Sequence, residues 1–332
     1  MIKSRRFVVR RTVASLCLVL LFALTCEAKE VRYLTGSAED VRPKLHGPAH
    51  DFGGGGGDVF AAMQWMIDRV RGCDACETKL DVVVLRSSGA DGYNAPVYAL
   101  RGVDSVETLV IKSREDANSR AASDTVRNAE IIFFAGGDQC NYVTYFKGTE
   151  VEKGVERVYA RGGGVGGSSA GLAIQGSAVY DACSGGSATS KQALSNPYHA
   201  DVSFTYHFFD WRNMRATITD THFVRRDRMG RTLAFLARQV RDGKYKRALA
   251  LAVDEKTSVV VDKEGLARVI GQSVAYVVLA DHRPEVCEPG VPLTYSDYKI
   301  WRLKPDDTFD LKRPPKTGYY TVSVSNGRIT SN

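Results

Sequence analysis

The sequence predicts an α/β protein with a mostly parallel sheet flanked by helices, and three observations carry that reading. Apolar runs at 81–85, 106–111 and 130–135 have the length and residue types of buried strands. Stretches with apolar residues at helical spacing alternate with them, as a parallel sheet covered on both faces requires. The polar and glycine-rich residues gather where those runs end, the place where chemistry sits in open α/β sheets.

The chain has 332 residues, and the first 28 read as a secretory signal peptide rather than as part of the fold. Lys3, Arg5, Arg6, Arg10 and Arg11 precede an apolar run over 13–24, and Ala28 offers a small residue for cleavage. That run is shorter than the roughly 20 residues of a membrane span, so an uncleaved anchor is the lesser alternative. Lipidation at Cys26 is disfavoured by the Leu24 and Thr25 before it. The protein is therefore expected to be secreted or periplasmic, with no stable membrane anchor once the signal is removed. The segment takes +4 of the formal charge of +7 with it, so about +3 remains on some 304 residues. That balance argues against a nucleic-acid partner. Five of the seven cysteines remain: Cys73, Cys76, Cys140, Cys183 and Cys287. An oxidising compartment allows two disulfides and one leftover thiol, with Cys73 and Cys76 read as a local staple rather than a zinc site.

Residues 29–57 form a polar N-terminal segment ending in five glycines. The spacing of Val59, Phe60, Met63, Met66, Ile67 and Val70 predicts a helix with Asp58 as its N-cap. After the strand at 130–135 come Gly136, Gly137 and Asp138, then helices over 141–146 and 151–160. A glycine-rich strand over 163–167 runs into Ser168, Ser169 and a further helix. Residues 184–210 read as an inserted loop. A strand returns at 214–219, a helix at 230–240, and strands at 248–253 and 257–261 are separated by Asp254, Glu255 and Lys256. The catalytic domain is placed at 58–281. Residues 282–332 form a polar, proline-punctuated C-terminal extension with a terminal strand at 319–324.

Gly167-Ser168-Ser169-Ala170-Gly171 fits G-x-S-x-G between a strand and a helix, the context in which a serine sits on a sharp turn as nucleophile. Small neighbours are needed because backbone crowds such a turn, and the following helix aims its first N–H groups at developing negative charge. Gly162, Gly164 and Gly167 also match a dinucleotide fingerprint, but no acidic residue follows at the distance that a ribose contact needs. Residues 53–57 have no strand before them and read as flexible backbone. Of the histidines at 46, 50, 199, 207, 222 and 282, only His222 lies directly after a predicted strand and before a helix, making it the candidate base. Asp254 and Glu255 share the next strand end, and either can orient the imidazole. Gly136 and Gly137 allow close backbone approach to an oxyanion, with the N–H of Ala170 as second donor. Arg226, Arg228 and Arg231 follow His222 closely enough to anchor substrate carboxylates.

Four ordered stretches resemble one known family across roughly residues 80–265: 133–139 (Phe-Phe-Ala-Gly-Gly-Asp-Gln), 167–171, 220–223 (Asp-Thr-His-Phe) followed by the arginines to 231, and 252–255 (Ala-Val-Asp-Glu). They are similar to the cyanophycinase and aspartyl dipeptidase family of serine peptidases, and closest to its cyanophycinase branch. The resemblance implies a flavodoxin-like or class I glutamine-amidotransferase-like sandwich with Ser169 as nucleophile, His222 as base and Glu255 as the orienting acid. It places Gly137 and Ala170 at the oxyanion hole and Gln139, Asp220, Arg226, Arg228 and Arg231 in the substrate pocket. It implies hydrolysis of cyanophycin, a poly-aspartate carrying arginine on each β-carboxyl, to β-Asp-Arg dipeptides, with no metal and no cofactor. Thr221 departs from the glutamine usual before the histidine. The rival readings are a relative acting on acidic or isoaspartyl dipeptides and a silent binding protein of the same fold. The assembly is open, with a homodimer among the candidates.

Overall fold

Along one strand Val82 and Val84 join one apolar cluster while Val83 and Leu85 join another, so burying both sets requires cover on both faces of the sheet. The computed structural model, which describes residues 31–331, supplies that cover. The signal-peptide reading of residues 1–28 lies outside the described residues.

The chain begins with β1 (Val31–Gly36), β2 (Ala49–Gly53), α1 (Phe60–Arg71), β3 (Leu80–Arg86), α2 (Asn94–Tyr98) and β4 (Val103–Val110). Next come α3 (Arg114–Asn118), α4 (Arg120–Asn128), β5 (Ile131–Phe134), α5 (Gln139–Phe146), α6 (Glu150–Ala160) and β6 (Gly164–Ser168). They are followed by α7 (Ala170–Ala173), β7 (Ala178–Tyr180), α8 (Ser190–Ser195), β8 (Phe204–Tyr206), β9 (Thr217–Asp220) and α9 (Met229–Arg241). The remainder is strand: β10 (Ala248–Val253), β11 (Thr257–Val261), β12 (Leu266–Gly271), β13 (Ala275–Ala280), β14 (Tyr295–Leu303), β15 (Thr308–Asp310), β16 (Tyr320–Ser325) and β17 (Arg328–Ser331).

Two sheets result. The first has the order β1-β4-β3-β5-β6-β2-β11-β12-β15, and its centre, from β4 to β2, is parallel. The second has the order β17-β16-β14-β13-β10-β9-β7-β8, with only β10, β9 and β7 parallel. Met63, Met66, Ile67 and Val70 of α1 pack with Val82, Val84 and Phe133 on the outer face of the first sheet. On its inner face Val83, Leu85 and Phe134 meet α4 and α6 side chains and, from the second sheet, Leu249, Leu251 and Val253. α9 covers the far side of the second sheet through Leu233, Leu236 and Val240.

This is the α/β class expected, with a second sheet that the sequence reading did not separate from the first. Residues 29–57, read as a polar segment, contribute β1 and β2, and β2 lies inside the first sheet between β6 and β11. Two buried titratable residues, His50 and Asp51, break its apolar pattern and hide the strand. Asp58 does not cap α1; its carboxylate accepts the hydroxyl of Tyr93 at 2.9 Å, and Val59 occupies the cap position. The stretch 184–210 holds α8 and β8, and residues 295–331, within the supposed extension, build the edge of the second sheet through β14, β16 and β17. Disulfides join Cys73 to Cys76 and Cys140 to Cys183, while Cys287 is a buried thiol.

His50 shows how a polar side chain is kept in this core. Its Nδ1 lies 2.9 Å from the carbonyl of Val165, its ring stacks on Phe52 and Tyr159, and Nε2 has no hydrogen-bond partner among the described residues. Burial drives its pKa down to about 4, so the ring stays neutral in the fold. Above pH 6.5 both folded and unfolded chains carry it neutral, and its stabilising contribution is complete. As pH falls towards 4, the unfolded chain takes up the proton first and that contribution is lost. Asp51, pushed up to about 7 by burial, acts in the opposite sense over part of this range. The test is therefore the difference between parent and variant. His50→Phe should lose about 2 kcal/mol less stability than the parent between pH 7 and pH 5 in denaturant titrations. Equal losses would show that His50 is not a neutral, buried group.

Candidate active site

Three strand ends meet at one place. β6 ends at Ser168, β9 at Asp220 and β10 at Val253, so the next residues of each project from carboxyl edges of the two sheets. Ser169 occupies the turn between β6 and α7 with φ 55° and ψ −114°, a conformation that costs a non-glycine residue energy and is held here by its surroundings. Gly167 and Gly171 make the turn possible. A Cβ at Gly171 would lie 2.0 Å from the carbonyl oxygen of Phe134, and one at Gly167 would lie 2.6 Å from backbone atoms of Gly171. α7 has only four residues, so negative charge there would be met by individual N–H groups rather than by a long helix.

Ser169 Oγ lies 2.8 Å from Nε2 of His222, and Nδ1 of His222 lies 2.7 Å from Oε1 of Glu255. The histidine is buried and the glutamate is partly exposed. Of the two carboxylates at the end of β10, Glu255 therefore faces the imidazole. Asp254 instead accepts the N–H groups of Val224 and Arg225, each at 3.0 Å, and the hydroxyl of Ser273 at 2.6 Å, bracing the loop that carries the histidine. Burial lowers the pKa of His222, the charges of Arg226 and Arg228 add to that, and Glu255 opposes it. The imidazole is thus free of its proton at neutral pH and able to take one from the serine.

Beside this chain lies a cavity of about 360 Å³ lined by Gly137, Gln139, Ala170, Thr221, Arg226 and Arg228, among others. Its lining carries three arginines, Arg226, Arg228 and Arg231, against two aspartates, Asp138 and Asp220. The guanidinium of Arg226 makes no hydrogen bond or ion pair among the described residues, while Arg228 donates to the carbonyl and hydroxyl of Thr221 at 2.8 and 2.9 Å. The arrangement suits a nucleophile, its base and an anionic substrate group within one cleft.

No family model matches the chain. Its sequence is 27% identical over 221 residues to the cyanophycinase of Nostoc sp., covering 65% of this chain and 68% of that protein. The same identity and coverage hold for the cyanophycinase of Trichormus variabilis. Among solved structures, a peptidase from an acI-B1 actinobacterium superimposes with a TM-score of 0.53 at 14% identity, over 81% of this chain and 98% of that one, and shares the fold. In sequence the chain is thus similar to cyanophycinases, and in fold to a peptidase.

Two residues expected to touch substrate have other engagements. Asp220 is buried against Arg231, whose Nε donates to it at 2.8 Å and whose Nη2 makes a second, shorter contact. Thr232 Oγ1 and the N–H of Thr221 donate to it at 2.7 and 2.8 Å, and Arg228 approaches it at 3.5 Å. Burial alone would raise the pKa of Asp220, but Arg231, with Arg228 and Thr232 beside it, outweighs burial and holds the carboxyl below its usual range. Arg231 further donates to Ser187 and Ala188 and lies 4.9 Å over the ring of Tyr180. The pair therefore forms the wall of the cavity, and its free donors and acceptors are few. The sequence reading missed two further contributors. Cys140, next to Gln139, is bridged to Cys183, next to Ala182, so a disulfide ties together two walls of the cavity. Of residues 53–57, read as flexible, 53–56 close β2 and pack behind Ser169, His222 and Glu255. Their lack of side chains conceals that role in a sequence.

Since the pKa of His222 lies below its ordinary 6.5, the acid limb of the kcat/KM profile should also fall below 6.5. Glu255 raises that pKa, so Glu255→Gln should move the limb lower while reducing kcat. A limb at or above 6.5, or an upward move in the variant, would contradict this electrostatic account.

Proposed function

We propose that the protein is an exported serine peptidase that hydrolyses cyanophycin or a closely similar acidic polypeptide carrying arginine. The observation that carries the reaction type is the continuous hydrogen-bonded line from Ser169 Oγ through the imidazole of His222 to Glu255. Ser169 Oγ attacks the carbonyl carbon of the scissile amide as His222 Nε2 takes its proton. The oxyanion is received by the N–H groups of Gly137 and Ala170. His222 then returns the proton to the leaving amine as the carbon–nitrogen bond breaks, and an acyl-enzyme on Ser169 remains. Water attacks that ester, again losing a proton to His222, which passes it to Ser169 Oγ as the acyl carbon–oxygen bond breaks and the carboxylate product leaves. Glu255 holds the ring orientation and stabilises the imidazolium formed in each half.

The substrate class rests on chemistry and relatives together. Two guanidinium groups, Arg226 and Arg228, stand in the cavity where a carboxylate can accept their donors. The relatives in Nostoc sp. and Trichormus variabilis are cyanophycinases. Export is favoured by the basic-then-apolar start of the chain and by two disulfides, a feature of oxidising compartments.

Incubation of the purified protein with insoluble cyanophycin should release β-Asp-Arg, identified by mass, and Ser169→Ala should reduce that release by about a thousandfold or more. Undiminished release by the variant would remove Ser169 as nucleophile. Cleavage of isoaspartyl or α-aspartyl dipeptides with cyanophycin untouched would assign the rival substrate class.

A further inference from the structure

The nucleophile and its base belong to different sheets. Ser169 follows β6 of the first sheet, whereas His222 and Glu255 follow β9 and β10 of the second. Face-to-face packing of side chains fixes such sheets only loosely in the direction along the strands, yet a serine–imidazole contact has a tolerance of a few tenths of an ångström. Some element must tie the three backbones together at the site itself.

Residues 53–56 have the geometry for it. Three successive carbonyls of this stretch accept three main-chain N–H groups: Gly53 from Ser169 at 2.9 Å, Gly54 from His222 at 2.8 Å and Gly55 from Lys256, the residue after Glu255, at 2.8 Å. The N–H of Gly54 donates in turn to the carbonyl of Thr257 at 2.9 Å. One short strap therefore bonds the backbone of the serine, of the histidine and of the segment carrying the glutamate.

The strap also touches the side chains. A Cβ at Gly55 would lie 2.6 Å from Cε1 and Nε2 of His222 and 3.0 Å from Cβ of Ser169. One at Gly56 would lie 2.7 Å from Cβ, Cγ and Cδ of Glu255, and one at Gly54 would lie 2.0 Å from the carbonyl oxygen of Asp254. Gly55 and Gly56 moreover have φ of +92° and +70°, which glycine adopts without strain. Gly57 lies outside this contact: its Cβ would meet only Cγ of Lys256, at 3.7 Å, although its φ of +141° is equally unsuited to other residues.

We infer that Gly53, Gly54, Gly55 and Gly56 are positioning residues that set the mutual placement of Ser169, His222 and Glu255 across the two sheets. The inference rests on Ser169 being the nucleophile. The strap fixes the backbone by its carbonyls, and its bare Cα atoms form the wall against which the imidazole and the glutamate stand. A side chain at Gly55 displaces the ring from the serine without touching the cavity that binds substrate.

The experiment compares Gly55→Ala with Gly57→Ala, both at positive φ, in the full disulfide-bonded protein. Parent activity that survives Ser169→Ala would remove the underlying reading, and the strap would have nothing to position. With a serine-dependent parent, Gly55→Ala is expected to lose about a hundredfold in kcat, with KM within about threefold and a cooperative melt retained. Gly57→Ala is expected to lose stability but keep kcat within about threefold once folded. Equal kcat loss in both variants, or a loss expressed in KM, would overturn the inference. Should Gly55→Ala fail to fold, amide hydrogen exchange on the parent decides. The N–H groups of Ser169, His222 and Lys256 should exchange together, as slowly as the core of β6, and independent exchange on the timescale of surface turns would overturn it.

Discussion

A contact of 2.8 Å between Ser169 and His222 has to be maintained across the boundary between two sheets. Much else in the molecule serves that constraint. β2 pairs in parallel with β6 and antiparallel with β11, so the strand leading to the glycine strap lies directly beside the strand leading to the serine. On the other side, β9 and β10 pair with Asp220 opposite Ala252, which brings His222 and Glu255 out at the same level. Leu249, Leu251 and Val253 then bury the inner face of the second sheet in the cluster that holds Val83, Leu85 and Phe134 of the first. Apolar burial supplies the attraction between the sheets, and directional backbone hydrogen bonds supply the alignment.

The cavity has a comparable division of labour. Asp220 and Arg231 form a buried ion pair, and such pairs contribute more to defined geometry than to net stability, because desolvation offsets their attraction. Their mutual engagement leaves Arg226 and Arg228 as the cations that face the cleft. Those charges disfavour an imidazolium at His222, and Glu255 counteracts them. Under the proposed chemistry, an anionic substrate group docked on the two arginines would weaken that disfavour and assist proton transfer when substrate is present. The disulfide between Cys140 and Cys183 limits how far the cleft walls can move apart.

Much of this was legible in the sequence, for stated reasons. The apolar runs at β3, β5 and β10 are nearly continuous because each strand is buried on both faces, and they marked the sheet. Ser169 stood out because its turn demands small flanking residues, and His222 because it directly follows a strand end. The order of the four motifs placed Glu255 ahead of Asp254, a choice that residue type and position alone left open. What escaped notice lacks a sequence pattern. β2 is short and carries His50 and Asp51 inside the core, so it has no apolar signature. Residues 53–57 resemble any flexible linker, since the bare Cα atoms of 53–56 leave no side-chain pattern to read. The pairing of Asp220 with Arg231 is a matter of three-dimensional reach, and each residue alone reads as an available pocket group. The division of the strands into two sheets depends on tertiary pairing that local patterns do not encode.

The central claim is that the hydroxyl of Ser169 is the group that becomes acylated. The most direct measurement is mass mapping of the disulfide-bonded protein after reaction with a fluorophosphonate. The account predicts one covalent adduct, located on Ser169 and abolished when His222 is replaced by alanine. An unmodified protein, or an adduct on a different residue, would contradict it.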